Sequence, residues 1–153
     1  MIGSGGSGAD LLVVVHLEDE IVVLLELHPE LSILPEPGLV STGDRYRVYQ
    51  RYHIKPDKAE EFMELVKQYI ALRNKQDVSA HFYTLRATFG RDLDIFYFID
   101  ELGTNPAENF TQNEEFWQGA GEDGQKLWQM ASPLIDKTEV FHGNVHYDLS
   151  YFP

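Results

Sequence analysis

From residue 45 onward the apolar residues change their spacing from two to three or four and back again. That rhythm limits what the chain can fold into more than any motif does. Residues 45–55 are rich in strand-favouring side chains: Tyr46, Val48, Tyr49, Tyr52 and Ile54. Then Ala59, Phe62, Met63, Val66, Tyr69 and Ile70 recur at helical spacing, one apolar stripe of a helix ending near residues 74–77. Pro56 is expected in its first turn, with Asp57, Glu60 and Glu61 at the positive end of the helix dipole. Residues 80–89 and 93–102 read as two strands joined by Gly90-Arg91-Asp92, a hairpin turn. After a loop at 104–110, Thr111-Gln112-Asn113-Glu114 matches a capping box and opens a helix carrying Phe116 and Trp117. Gly119 and Gly121 interrupt it before a second helical piece with Leu127, Trp128, Met130 and Ala131, and residues 139–152 form a last strand. The order is β-α-β-β-α-β, an α+β, ferredoxin-like arrangement whose two helices cover one face of the sheet and leave the other bare.

The first 43 residues differ in kind. They hold seven acids (Asp10, Glu18, Asp19, Glu20, Glu26, Glu30 and Glu36) and no Lys or Arg, more than half of the net charge of −13. Residues 1–8 are a Gly/Ser-rich lead-in, and their chance GxGxxG spacing lacks the preceding strand that a nucleotide site needs. Residues 11–17 and 21–27 read as a hairpin about the acidic triplet 18–20, and Pro29, Pro35, Pro37 and Gly38 as a linker. We therefore expect an extension at 1–43 and a domain at 44–153. The hairpin could cover a sheet edge, contact a partner, or be foreign to the domain, in which case deleting residues 1–40 leaves the rest folded.

A strongly acidic chain is repelled by nucleic-acid phosphates and anionic membranes, so neither is an expected partner. The longest apolar runs, 11–15 and 21–25, are far shorter than the roughly 18 residues of a membrane span. With no basic n-region and long apolar h-region at the start, a cytoplasmic location is expected, although a processed export precursor would read the same. The absence of cysteine removes disulfides, thiolate metal sites and a cysteine nucleophile.

Alternation sorts each strand into two faces. Val48, Tyr52 and Ile54; Tyr83, Leu85 and Ala87; Leu93, Ile95, Tyr97 and Ile99; and Phe141, Val145, Tyr147 and Leu149 are expected under the helices. The bare face then carries Tyr49, Arg51, His53, Phe82, Thr84, Arg86, Phe96, Phe98, His142, Asn144 and His146. So many aromatics invite association, and so many unpaired polar groups would cost roughly 2–7 kcal/mol each if simply buried. An enclosed, partly polar cavity between two copies meets both constraints, and a packed dimer interface is the alternative. If the last strand lies antiparallel beside the first, His53 comes near His142 and Arg51 near Asn144. Histidines move protons near neutral pH, and arginines anchor an anionic or enolic oxygen. His142 and His146 would stand about 13 Å apart by strand rise, too far to share one ion, so no metal site is expected. Trp117 and Trp128 are expected as core or cavity wall.

Over residues 45–153, the order of elements, with Tyr49-Gln50-Arg51-Tyr52-His53-Ile54-Lys55-Pro56 leading into the helix, resembles the dimeric α+β barrel superfamily. That group includes antibiotic-biosynthesis-type monooxygenases, haem-degrading monooxygenases, muconolactone isomerases and stress-responsive barrel proteins. The resemblance implies a homodimer that joins two open sheet faces around a small-molecule ligand, most naturally an aromatic one. The haem-degrading members use a first-strand asparagine, where this chain has Gln50, Arg51 and His53. The antibiotic-type members need no metal or flavin, so no cofactor is implied. On that reading the protein is a cofactor-independent monooxygenase or isomerase of an aromatic or enolic substrate. His53, His142 and Arg51 would be catalytic, and Tyr49, Phe82, Arg86, Phe96, Phe98, Asn144 and His146 would bind the substrate. The alternative is a non-catalytic dimeric binding or interaction module.

Overall fold

The structure, a computed structural model, describes residues 12–17, 21–34, 45–78, 80–89 and 94–145. The lead-in, the acidic triplet, the turn at 90–92, Pro35, Pro37, Gly38, His146 and Tyr147 to Phe152 lie outside the described residues. Strands β1 (Leu12–Leu17), β2 (Ile21–Leu27) and β3 (Arg45–Ile54) precede helix α1 (Ala59–Lys75). Strands β4 (Phe82–Phe89) and β5 (Ile95–Asp100), helix α2 (Pro106–Ala131) and strand β6 (Ile135–Val145) follow. The strands form one sheet in the order β1-β2-β4-β5-β3-β6, antiparallel at every pairing. From β3 onward this is the ferredoxin-like β-α-β-β-α-β fold, and the N-terminal hairpin continues its sheet past β4. No described helix is long and apolar enough to cross a membrane.

Helix α1 has the acids Glu60 and Glu61 in its first turn and Arg73 and Lys75 in its last, both complementing the dipole. It starts at Ala59, so Pro56 stands before the first turn rather than within it. Helix α2 starts five residues ahead of the expected capping box. Asn105 Oδ1 accepts from the amides of Ala107 (3.1 Å) and Glu108 (3.0 Å), and Pro106 follows where no amide hydrogen is needed. Thr111 is left inside the helix, its hydroxyl donating back to Ala107 O at 3.0 Å. The expected glycine break is a kink at Gly121, whose φ of 51° and ψ of −128° a side chain would resist.

Both helices pack on one sheet face. Phe62, Val66 and Ile70 of α1 and Phe116, Ala120 and Leu127 of α2 close over Phe82, Phe96 and Phe98. The rings of Phe62, Phe82, Phe96 and Phe98 stand 5.2–6.4 Å apart, each close pair worth roughly 0.5–1.5 kcal/mol beyond its area. The expected faces of β4 and β5 are thereby inverted. Phe82, Thr84, Arg86, Phe96 and Phe98 look toward the helices, while Leu85, Ala87 and Ile95 join Leu25 in a second buried cluster on the other face. Each alternating set of these strands carries large apolar residues, and the polar Thr84 and Arg86 lie among the phenylalanines of the helix-facing set, so period two points to the wrong face.

The hairpin and the turn after it are bonded along β4. Leu25 pairs with Ala87 and Leu27 with Leu85. His28 N donates to Thr84 O, Ile33 N to Phe82 O and Phe82 N to Ile33 O, at 2.7–2.9 Å. Leu31 sits in a short 3-10 turn and is 0% exposed, so Pro29 opens a packed element rather than a linker.

Candidate functional site

Between the helix-facing side of the sheet and α2 lies a cleft of about 910 Å³. Phe82, Phe98, Tyr52 and Tyr69 form its floor, and Trp117 and Trp128 its outer wall. The glycines explain the room. Helix α2 changes direction at Gly121, and at Gly124 an added Cβ would stand 2.7 Å from that of Ala120 and 3.2 Å from the Trp117 ring. Trp128 remains 51% exposed at the mouth.

The polar end of the cleft is built on Arg73. In the α1 stripe it follows Tyr69 by one turn, which drives a guanidinium into the core at 1% exposure. Its Nη1 donates to Asp100 Oδ2 at 3.0 Å and its Nη2 to Asp100 Oδ1 at 3.3 Å and Ala80 O at 3.2 Å. The group also lies 5.1 Å over the Phe82 ring and 5.8 Å over Tyr69. Asp100 lines the cleft, and burial pulls its carboxyl up against the opposing pull of Arg73. Burial pushes the Tyr69 phenol up to about 12, so it is a neutral donor at physiological pH. Gln50 and Tyr52 complete the polar set, the Tyr52 hydroxyl donating to Gln50 Oε1 at 3.4 Å.

The expected site residues divide between the two faces. Phe82 and Phe98 line the cleft, whereas Phe96 is packed beneath it with no exposed surface. Arg86 stays on the helix side but engages Glu60 (3.6 Å) and Asp94 (3.8 Å). Arg51, His53 and Tyr49 lie on the helix-free face, opposite Glu139, Lys137 and Phe141 of β6. His142 and Asn144 pair with Val48 and Tyr46 and so face the helices. His53 and His142 are thus on opposite sides of the sheet, and so are Arg51 and Asn144. The reason is register: β6 begins at Ile135, not near residue 139, and His53 pairs with Lys137 instead. His142 Nδ1 is 2.5 Å from the Tyr46 hydroxyl, with the two rings stacked.

On the helix-free face, Glu139 is the hub. Its Oε2 accepts from Arg51 Nε at 2.6 Å and lies 2.9 Å from His53 Nε2, and its Oε1 accepts from Lys137 at 2.9 Å. The His53 and Lys137 hydrogen bonds, with Arg51 beside them, hold the Glu139 carboxyl down at about 2. Arg51 is therefore committed to a carboxylate and is not a free anchor for an oxyanion. A carboxyl lowered on folding contributes stability above its ordinary 4.5 and loses it as pH falls through the folded value. Glu139→Gln should cost about 1–2 kcal/mol at pH 7. In urea melts of both chains, that gap should close between pH 4.5 and pH 2. A gap independent of pH would show that the cluster does not act through charge.

Sequence reasoning missed Arg73, Asp100, Tyr69 and Gln50. Arg73 was visible in principle, since a cation continuing the Phe62, Val66, Tyr69 stripe demands a buried acid. Among the described residues no group of three or more His, Asp or Glu could hold a metal ion.

No protein-family model matches the sequence, and no curated protein does. The fold has solved relatives. A NIPSNAP family protein from Agrobacterium tumefaciens is similar at a TM-score of 0.59 and 17% identity, covering 73% of this chain and 95% of that one. A NIPSNAP domain protein from Burkholderia xenovorans is similar at a TM-score of 0.57 and 15% identity, covering 70% of this chain and 99% of that one. These likenesses establish the ferredoxin-like α+β fold. They take in nearly all of each relative, and 27–30% of this chain has no counterpart there.

Proposed function

We propose that this protein binds a small, largely apolar aromatic molecule in the cleft between the sheet and α2. The observation that carries the proposal is the cleft itself. At about 910 Å³ it has the size of a ligand pocket, and its aromatic walls converge on a few polar groups. The expected ring-binding role of Phe82 and Phe98 moves to this side of the sheet. Binding without turnover is the better-supported form, because no histidine lines the cleft among the described residues. Its proton acceptor would be Asp100, already engaged by Arg73. An oxygenase or isomerase acting on an enolic substrate would rest on Asp100 and Tyr69 rather than on His53 and His142. The homodimer implied by the sequence belongs to the same proposal, supported by Val140 and Phe141, which are exposed on the edge strand β6.

Tryptophan fluorescence titrated with naphthalene derivatives provides the test. Saturable quenching is expected, weakened at least about tenfold in Trp128→Ala, a loss of about 1.4 kcal/mol. The thermal midpoint should barely move, since Trp128 is half exposed. Oxygen uptake with quinol-type substrates would restore the catalytic reading, and absence of any saturable binding would remove both.

A further inference from the structure

We infer that the cleft selects an aromatic ligand bearing positive charge, an organic ammonium, and discriminates against the isosteric carboxylate. The inference rests on the proposal that the cleft binds a small molecule, and goes on to the chemical class.

Three observations point the same way. The described lining carries no Lys, Arg or His, and of its two carboxylates Asp100 is paired with Arg73, which leaves Glu114 as its uncompensated charge. The nearest cation, Arg73, cannot serve an anionic ligand. Its side chain is buried behind the floor, and both terminal nitrogens are bonded to Asp100, so the pair acts as a nearly neutral unit. The helix that carries the wall is acidic as a whole, with Glu108, Glu114, Glu115, Glu122 and Asp123 against Lys126, although only Glu114 of these lines the cleft and Asp123 is paired with Lys75. The protein as a whole, at −13, adds to that field.

The aromatic residues complete the fit. Trp117, Trp128 and Phe110 line the mouth beside Glu114, and indole and phenyl faces attract a cation most strongly where a carboxylate stands close by. An ammonium would sit at this rim with its apolar body directed inward over Phe82 and Phe98. A carboxylate in the same pose would meet Glu114 and be desolvated without a partner. A neutral alcohol would fall between them, free to donate to Asp100 or accept from the Tyr69 hydroxyl.

The test is isothermal titration of the full chain with three ligands of one shape: 1-naphthylmethylammonium, 1-naphthylmethanol and 1-naphthoate. The ammonium should bind at least about tenfold tighter than the carboxylate, with the alcohol between. Raising the salt from 20 to 500 mM should narrow the gap, and Glu114→Gln should narrow it at low salt. If the carboxylate binds as tightly as the ammonium while all three bind, the charge selection is wrong and the binding proposal survives. If none binds, the cleft is not a ligand site and both fall. If Trp128→Ala converts a dimer to a monomer, the cleft is filled by a second copy and the inference is likewise overturned.

Discussion

Asp100→Leu should destabilise the protein by about 3–5 kcal/mol, one of the two largest effects expected of any change to it. The substitution removes the carboxylate that accepts from both terminal nitrogens of Arg73, leaving the guanidinium 1% exposed with Ala80 O and the Tyr69 hydroxyl as its remaining hydrogen-bond partners among the described residues. Among the described residues Arg73 Nε has no hydrogen-bond partner even before the change, so little slack exists to absorb the loss. Apolar atoms in place of both partners reverse most of the damage. With Arg73→Leu added, the α1 stripe of Phe62, Val66 and Tyr69 simply continues, and the double variant should regain most of the lost stability. Urea unfolding of the two single variants and the double variant closes the cycle. A loss below about 1 kcal/mol in Asp100→Leu would mean that Arg73 reaches water, contrary to its burial.

The second large effect concerns the N-terminal segment. Leu31→Ala should cost about 2–5 kcal/mol, because the side chain is fully enclosed and its removal leaves a cavity. Deleting residues 1–34 should cost more, about 5 kcal/mol or more, enough to abolish cooperative unfolding in a domain of ordinary stability. The cut removes Leu25 and Leu31 from the two buried clusters. It also strands Thr84, itself 0% exposed, whose amide donates to Ser32 Oγ, whose hydroxyl donates to Leu31 O and whose carbonyl accepts from His28 N. Removing residues 1–8 alone should shift the thermal midpoint by no more than a degree or two, since a Gly/Ser-rich lead-in has little to bury. Circular dichroism melts of the two truncations decide the matter, and a cooperative, wild-type-like melt for the longer one would show that the hairpin is an independent appendage.

How far the fold was legible depended on contrast. In β3 a polar set, Arg51 and His53, alternates with Val48, Tyr52 and Ile54, and in α1 the apolar stripe faces a charged one, so both elements and their inner faces could be read directly. In β4 and β5 both parities carry large apolar residues, and the polar Thr84 and Arg86 stand in the set of Phe82, Phe96 and Phe98 that faces the helices, so hydrophobicity points to the wrong face. The inversion of those two strands moved Phe82 and Phe98 to the helix side and with them the site. The placement of His142 failed for a different reason. Local propensity does not show that β6 begins at Ile135, and His53 pairs with Lys137 rather than lying near His142, a five-residue error in register; an odd error exchanges the faces of a strand. The cleft itself depends on how far α2 stands off the sheet, a tertiary quantity that the spacing of Trp117, Gly121, Gly124 and Trp128 hints at but does not determine.

The pairing of β2 with β4 has a last consequence, for behaviour in concentrated solution. A ferredoxin-like sheet without the hairpin would end at β4, and among the described residues this one ends at β1. The new boundary strand reads Leu-Val-Val-Val-His-Leu, with no lysine, proline or acid to discourage a neighbour. Its outer row of amides and carbonyls has no strand beside it among the described residues. Such an edge is a template on which a second molecule can add its own strand, and a six-residue segment with five apolar residues of high β propensity is long enough to seed that growth. The segment that completes the core therefore also sets the colloidal fate of the protein, and the acids crowded into its first 43 residues are the counterweight that keeps those edges apart.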